Sequence, residues 1–199
     1  PQADGVAGDL GGGSMELVDL RVGSIGQQTT LPLGPLRLSA LDGPANRKKL
    51  VAHIDRHLAS VPWLSGLKGR PLYAVGGGWR SIAKAHMDMT GYPMHILHEY
   101  RLQTPALLDF LDRLQQIGKS EMKAINGVSK RRLETIPMAA LLMRRLLTLA
   151  EPSCVVFSAY GLREGCLFDL LPDEAKSLDP LIESARKFAA AAGRFPPHG

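Results

Sequence analysis

The sequence predicts an α/β fold: a mixed five-stranded sheet flanked by helices, with a further helix at the C-terminal end. Three observations predict it. Gly5–Leu10, Met15–Leu20 and Val22–Leu31 are strand-like segments joined by glycine turns, a β-meander. Two later runs, Leu72–Val75 and Cys154–Phe157, are short and apolar, as central strands of a parallel sheet are. Helical periodicities separate and follow those runs, so the meander passes into helix–strand–helix–strand–helix.

Each element has a local reason. Alternation in the second strand puts Ser14, Glu16 and Val18 on one face and Met15, Leu17 and Asp19 on the other. Pro44 is expected to open a helix in which Leu50, Ile54, Leu58 and Val61 recur at helical spacing. After strand Leu72–Val75, a helix over Arg80–Thr90 closes on Gly91. Thr104 and Pro105 suit the N-cap and first position of a helix whose Leu107, Phe110, Leu111, Leu114 and Ile117 form one stripe. Ser129 is a candidate cap for the next helix, which turns Leu133, Ile136, Ala140, Met143 and Leu147 inward; Pro137 kinks it or marks its true start. Leu142, Leu146 and Leu149 widen that apolar face, so the helix is expected to be covered on two sides. Leu162–Leu171 is a short helix bounded by Pro172, and Glu174–Ala192 is the last, with Leu178, Leu181, Ile182, Ala185, Phe188 and Ala189 on one face.

Two glycine clusters carry the chemistry. Gly8–Glu16 reads GDLGGGSME and Tyr73–Arg80 reads YAVGGGWR, about 65 residues further on. A strand ending in consecutive glycines brings bare N–H groups up to an anion, since no Cβ blocks the approach. Asp9 precedes the first cluster and Ser14 follows it; a carboxylate can hold Mg²⁺ beside a phosphate, and a hydroxyl can donate to one. A tight β-hairpin is the alternative reading of DLGGGS followed by MELVDL, and the presence of two such loops favours phosphate binding over it. Ser14 and Glu16 share a face, directed toward whatever the loop binds.

The segments DLGGGSMELV, TTLPLGPLRL, YAVGGGWRSIAKAHM, SKRRLETIP and VVFSAYGLREG resemble, in order and over nearly the whole chain, the exopolyphosphatase / guanosine pentaphosphate phosphohydrolase family of the actin-like ATPase superfamily. The resemblance implies that residues 1–172 are the second of two actin-like (ribonuclease H-like) lobes. It implies that residues 173–199 are a C-terminal helix and the start of a linker to an absent helical domain. The first lobe, with the catalytic glutamate, would lie before Pro1. The implied activity is Mg²⁺-assisted release of terminal phosphate from inorganic polyphosphate, with the 5′-γ-phosphate of guanosine pentaphosphate as a second candidate.

In that reading Gly11, Gly12, Gly13 and Ser14 hold phosphate, and Asp9 and Glu16 are the catalytic and metal-binding acids. Gly76, Gly77, Arg132 and Arg163 contact the ligand. A salt-bridged surface acid is the alternative for Glu16, and a structural pair with Glu164 the alternative for Arg163. Relatives commonly carry Thr or Ser where this chain has Gly78. Other readings of the whole are a non-catalytic phosphate-binding lobe, or part of an actin-like ATPase or sugar kinase; GLREG argues against the last.

Composition agrees. Apolar residues are 45% and charged residues 22%, close to the globular average. The longest apolar stretch, Met138–Met143, ends at Arg144 and Arg145, so no membrane span is expected, and no secretory signal is legible. Cys154 and Cys166 show no CxxC spacing, which fits reduced thiols and a cytoplasmic setting. A net charge of +5 suits a polyanion. The basic residues cluster at Arg47–Lys49, Lys130–Arg132 and Arg144–Arg145; for Arg47–Lys49 a solvated helix face is the plainer account. Aromatics are 6% and none interleave with these runs, which disfavours nucleic acid. His53 and His57 lie one helical turn apart without a third ligand nearby. The residues are silent on oligomeric state, and a homodimer is kept as one option.

Overall fold

The meander forms because glycine permits its tight turns and its alternation buries one face. In the computed structural model, which describes residues 3–43 and 46–192, the first strands are β1 (Gly5–Leu10), β2 (Met15–Arg21) and β3 (Ser24–Leu31). They pair antiparallel in sequence order, with Met15, Leu17 and Asp19 of β2 buried as the alternation predicts. β4 (Leu72–Val75) joins β1 in parallel, and the fully buried β6 (Cys154–Phe157) joins β4 in parallel.

The expected count of five strands is corrected to six: β5 (Tyr100–Gln103) pairs antiparallel with β6 at the sheet edge. The order is β3-β2-β1-β4-β6-β5. β5 is an edge strand whose Arg101 and Gln103 face solvent, so no apolar run marks it. Tyr100 anchors it, its hydroxyl 2.8 Å from His86 Nδ1.

Among the described residues of the first 161, the α-helices are α1 (Pro35–Leu41), α2 (Arg47–Ala59), α3 (Gly77–Met89), α4 (Thr104–Gln116), α5 (Lys119–Ala124), α6 (Lys130–Leu133) and α7 (Ile136–Ala150). α7 is the central one, in contact with α1, α2, α3 and α4, and it buries Ile136, Met138 to Met143, Leu146 and Leu147. Leu149 is the correction on this face, being 46% exposed. Pro137 sits in the first turn of α7 and so marks its start, where the missing N–H costs nothing. Thr104 does not cap α4. It is the first helical residue, and its hydroxyl donates to the Pro152 carbonyl. The expected start of α2 at Pro44 and the closing GRFPPHG segment lie outside the described residues.

The chain divides into two compact units, Pro1–Gly161 and Leu162–Gly199. The second contains α8 (Leu162–Asp169), α9 (Asp173–Lys176) and the C-terminal helix α10 (Pro180–Ala192). The expected single helix over Glu174–Ala192 is therefore two, because Asp179 and Pro180 start a new one: the Asp179 carboxylate accepts from the N–H of Leu181 and Ile182. Among the described residues no helix is long and apolar enough to cross a membrane.

Candidate active site

The parallel register of β1 and β4 pairs Asp9 with Val75, which brings the two glycine clusters side by side at the carboxyl ends of these strands. Here they border a cavity of about 590 Å³, lined by Asp9, Leu10, Gly11 and Gly12 from the first cluster and Gly76, Gly77 and Gly78 from the second. Pro35 and Leu36 close it from α1, and Ser129, Arg132, Glu134 and Thr135 from the segment around α6.

The first cluster is both the hairpin turn and part of the cavity. The Gly11 N–H donates to the Ser14 carbonyl at 3.0 Å, closing the turn, so the N–H groups left for an anion are those of Gly12 and Gly13. The Gly12 carbonyl accepts from the Leu36 N–H at 3.0 Å. Gly34 packs against the backbone of Gly12 and Gly13 so closely that a Cβ there would overlap it. This is why the LPLG stretch precedes α1: the chain must pass flat over the loop.

The second cluster is shorter than the sequence suggested, because α3 begins at Gly77 rather than Arg80. Three close approaches require the glycines. Gly76 has φ of +97°, and a Cβ on it would stand 2.5 Å from Asp9 Oδ1 and 2.7 Å from the Leu10 carbonyl oxygen. A Cβ on Gly77 would fall inside the Arg132 guanidinium, and one on Gly78 would meet Leu10 Cδ2 at 2.7 Å. Gly78 thus buries against Leu10. Arg132 therefore lies on the N-terminal turn of α3, whose unpaired N–H groups already carry partial positive charge. Two positive features in contact form a cradle that an anion completes.

Asp9 and Glu16 are directly opposite each other in the β1–β2 ladder, with side chains on one face. Burial, then the Glu16 carboxylate, push the Asp9 carboxyl above its ordinary range; Arg80 pulls it partway back. The Ser14 hydroxyl donates to Glu16 Oε1 at 2.6 Å, orienting that carboxylate and committing the hydroxyl to it. Glu16 makes no ion pair among the described residues, unlike Asp19 three positions on, which is held by Arg21 and Arg70 at 2.9 Å each. Two hard oxygen donors with uncompensated charge are a donor set that suits Mg²⁺, which takes one or two carboxylates and fills the rest of its shell with water and phosphate oxygen. Among the described residues no cluster of three His, Cys, Asp or Glu exists that could hold a metal unaided.

The structure thus brings Asp9, Gly11, Gly12, Gly76, Gly77 and Arg132 to one cavity. Gly13 is exposed at the turn, and Ser14 and Glu16 flank Asp9 without lining the cavity. Arg163 belongs to the second unit, exposed on the first turn of α8. The pair Arg144–Arg145 is taken up structurally: Arg144 pairs with Asp112, and Arg145 with Asp55 at 2.7 Å. The side chains of Lys130 and Arg131 lie outside the described set. Sequence reasoning missed Gly34, Glu134 and Arg80. Arg80 donates to the Ala159 carbonyl at 3.1 Å and leaves its buried Nε without a partner. A signal existed for each: the LPLG stretch, the acid after the basic run, and the Arg on the first turn after glycines.

The meander, the two parallel strands and the helices packed against them define an actin-like α/β lobe. The chain belongs to the Ppx/GppA phosphatase family, whose sequence model matches residues 1–174. It superposes on an exopolyphosphatase from Cytophaga hutchinsonii with a TM-score of 0.72 at 22% identity, over 85% of this chain and 57% of that one. For the type II variant of the Aquifex aeolicus Ppx/GppA phosphatase the TM-score is 0.65 at 22% identity, over 84% and 57%. At these identities the likeness is one of fold. Retrograde regulation protein 2 of Saccharomyces cerevisiae is 33% identical over 128 residues, 61% of this chain and 22% of that protein. The chain therefore spans a little over half the length of its structural relatives and about a fifth of the yeast protein.

Proposed function

We propose that this chain is the second lobe of a phosphohydrolase that releases terminal phosphate from inorganic polyphosphate, with the 5′-γ-phosphate of guanosine pentaphosphate as an alternative substrate. The observation that carries the reading is the convergence of both glycine clusters, Asp9 and Arg132 on one cavity. In this account the N–H groups of Gly12 and Gly13, the α3 N-terminus and Arg132 bind and orient the phosphate chain. Asp9 and Glu16 would hold Mg²⁺, which would supply positive charge beside the transferred phosphoryl group. Ser14 fixes Glu16 rather than touching substrate. The general base is a glutamate supplied by an opposing lobe, so Glu16 positions rather than abstracts.

A second reading, a non-catalytic lobe that binds phosphate chains, is favoured by the likeness to a yeast protein named for regulation. Phosphate release separates the two. The isolated chain should bind polyphosphate weakly and hydrolyse it negligibly, because a positioned general base typically contributes ~10²–10⁴-fold. Turnover by the pure chain comparable to that of a two-lobe relative would overturn the division of labour. Absence of turnover when both lobes are present would favour the second reading.

A further inference from the structure

Among the described residues, the charged ones that line the cavity are Asp9, Arg132 and Glu134: two acids to one cation, in a cavity that the proposed function gives to a polyanion. Asp9 has a task there as a donor to Mg²⁺, and it lies in the field of Arg80. Glu134 has no task in that scheme. It is exposed and makes no ion pair among the described residues, not even with Arg132 two positions back. Its place is nevertheless fixed. The Arg132 N–H donates to the Ser129 carbonyl at 2.8 Å, and the N–H and hydroxyl of Thr135 both donate to the Arg132 carbonyl at 3.0 Å. Arg132 and Glu134 therefore stand on one tight turn between α6 and α7, presenting opposite charges to the same cavity.

Thr135 is the N-cap of α7, whose first turn holds no acid, so a carboxylate at Glu134 also meets the favourable end of that helix dipole. That contribution needs charge near the start of α7 and not a place in the cavity wall. The place in the wall acts on the ligand. Arg132 and the α3 N-terminus attract any small anion. A carboxylate beside them repels a bare polyanion, and inside a cavity that repulsion is screened less than in open water. The repulsion shrinks when the anion arrives with a divalent cation, because the complex carries less negative charge. Like-charge juxtaposition of this kind selects a ligand by rejecting its competitor.

We propose that Glu134 is a specificity-determining residue, whose carboxylate keeps metal-free phosphate chains out of the cavity and so restricts entry to their Mg²⁺ complexes. The proposal rests on the phosphohydrolase reading for its ligand. It assigns Glu134 no contact with the metal and no proton transfer: Asp9 and Glu16 remain the metal donors, and Glu134 acts through its charge alone. Glu134→Gln keeps the side chain's size and removes that charge, and Glu134→Asp keeps the charge.

The test is calorimetric titration of the full chain with tripolyphosphate, once with a chelator present and once with saturating Mg²⁺, for the parent and both variants, beside a thermal melt. Glu134→Gln should bind the metal-free chain roughly three- to tenfold more tightly than the parent and the Mg²⁺ complex within roughly twofold of it. Glu134→Asp should keep the parent's discrimination. The Gln variant should melt at or slightly below the parent, since α7 loses a charge near its N-terminus. Unchanged or undetectable metal-free binding in Glu134→Gln overturns the proposal, and a lowered melting temperature alongside it assigns the residue to the helix alone. An equal gain with and without Mg²⁺ also overturns it, because the carboxylate would then repel without discriminating. Failure of the parent and both variants to bind tripolyphosphate even with Mg²⁺ counts against the phosphohydrolase reading itself, and the selectivity falls with it.

Discussion

Replacing Gly77 with Ala separates the phosphate cradle from the fold. Gly77 has an ordinary helical backbone, so alanine is allowed there, and by restricting the unfolded chain it should add about 0.4–1 kcal/mol of stability. The new methyl, however, occupies the space of the Arg132 guanidinium, the flexible end of an exposed side chain that can swing away. What is lost is the arginine's ordered position over the α3 N-terminus. Charge-assisted hydrogen bonds are worth about 1.5–3 kcal/mol, so affinity for a phosphate chain should fall by roughly 10- to 150-fold while the melting temperature holds or rises. Calorimetric titration with tripolyphosphate, beside a thermal melt, reads both quantities. Arg132→Ala should give a similar loss, and the double variant no more than either single one, because both remove the same contact. Unchanged affinity in Gly77→Ala, or additive losses in the double variant, would refute the placement of Arg132 as an anion ligand.

Other outcomes follow from neighbouring geometry. Gly76→Ala forces a positive φ on a residue with a Cβ that meets Asp9 and Leu10, so chemical denaturation should show a loss of about 2 kcal/mol or more and phosphate binding should vanish with it. Asp9→Asn should abolish the Mg²⁺-dependent turnover of a protein that carries both lobes, yet leave this chain as stable as the parent, or more so, at neutral pH. A carboxyl whose folded value is raised binds its proton more tightly in the fold than in the unfolded chain. The parent therefore loses stability as pH rises through and above the ordinary carboxylate range, and the Asn variant should not, which melts across a pH series would show. Arg70 spans Asp4, Asp19 and three backbone carbonyls, and removing it leaves the buried Asp19 carboxylate with Arg21 as its one cation and three carbonyls without their donor. Arg70→Ala should cost about 3 kcal/mol or more by urea denaturation, with a smaller penalty at acid pH where Asp19 protonates.

Much of this architecture was legible because its signals are local. Glycine turns and strict alternation through Met15, Leu17 and Asp19 define the meander, and Pro137 and Pro105 mark helix starts through their missing N–H. β5 was not legible: a four-residue edge strand with two solvent-facing polar side chains owes its existence to β6, a tertiary partner. The start of α3 was misplaced because glycine has poor helix propensity. Here propensity yields to the need for bare Cα atoms under Arg132 and beside Leu10. Within the site, Asp9 and Arg132 were readable from motif, while the role of Ser14 was not. Its hydroxyl faces the same side as Glu16, and only the structure reveals that it donates to that carboxylate. Gly34 and Arg80 left a local signal, the LPLG stretch and the basic residue after the glycines, but their partners, the Gly12–Gly13 backbone and the Ala159 carbonyl, lie too far along the chain for that signal to name them.

The measurement that bears most directly on the central claim is calorimetric binding of tripolyphosphate to the full chain, with and without Mg²⁺, for the parent, Asp9→Asn and Arg132→Ala. The account predicts binding that Mg²⁺ strengthens in the parent, that Mg²⁺ no longer strengthens in Asp9→Asn, and that is weakened with or without the metal in Arg132→Ala. Binding that ignores both substitutions, or a preference for ATP over tripolyphosphate, would contradict it.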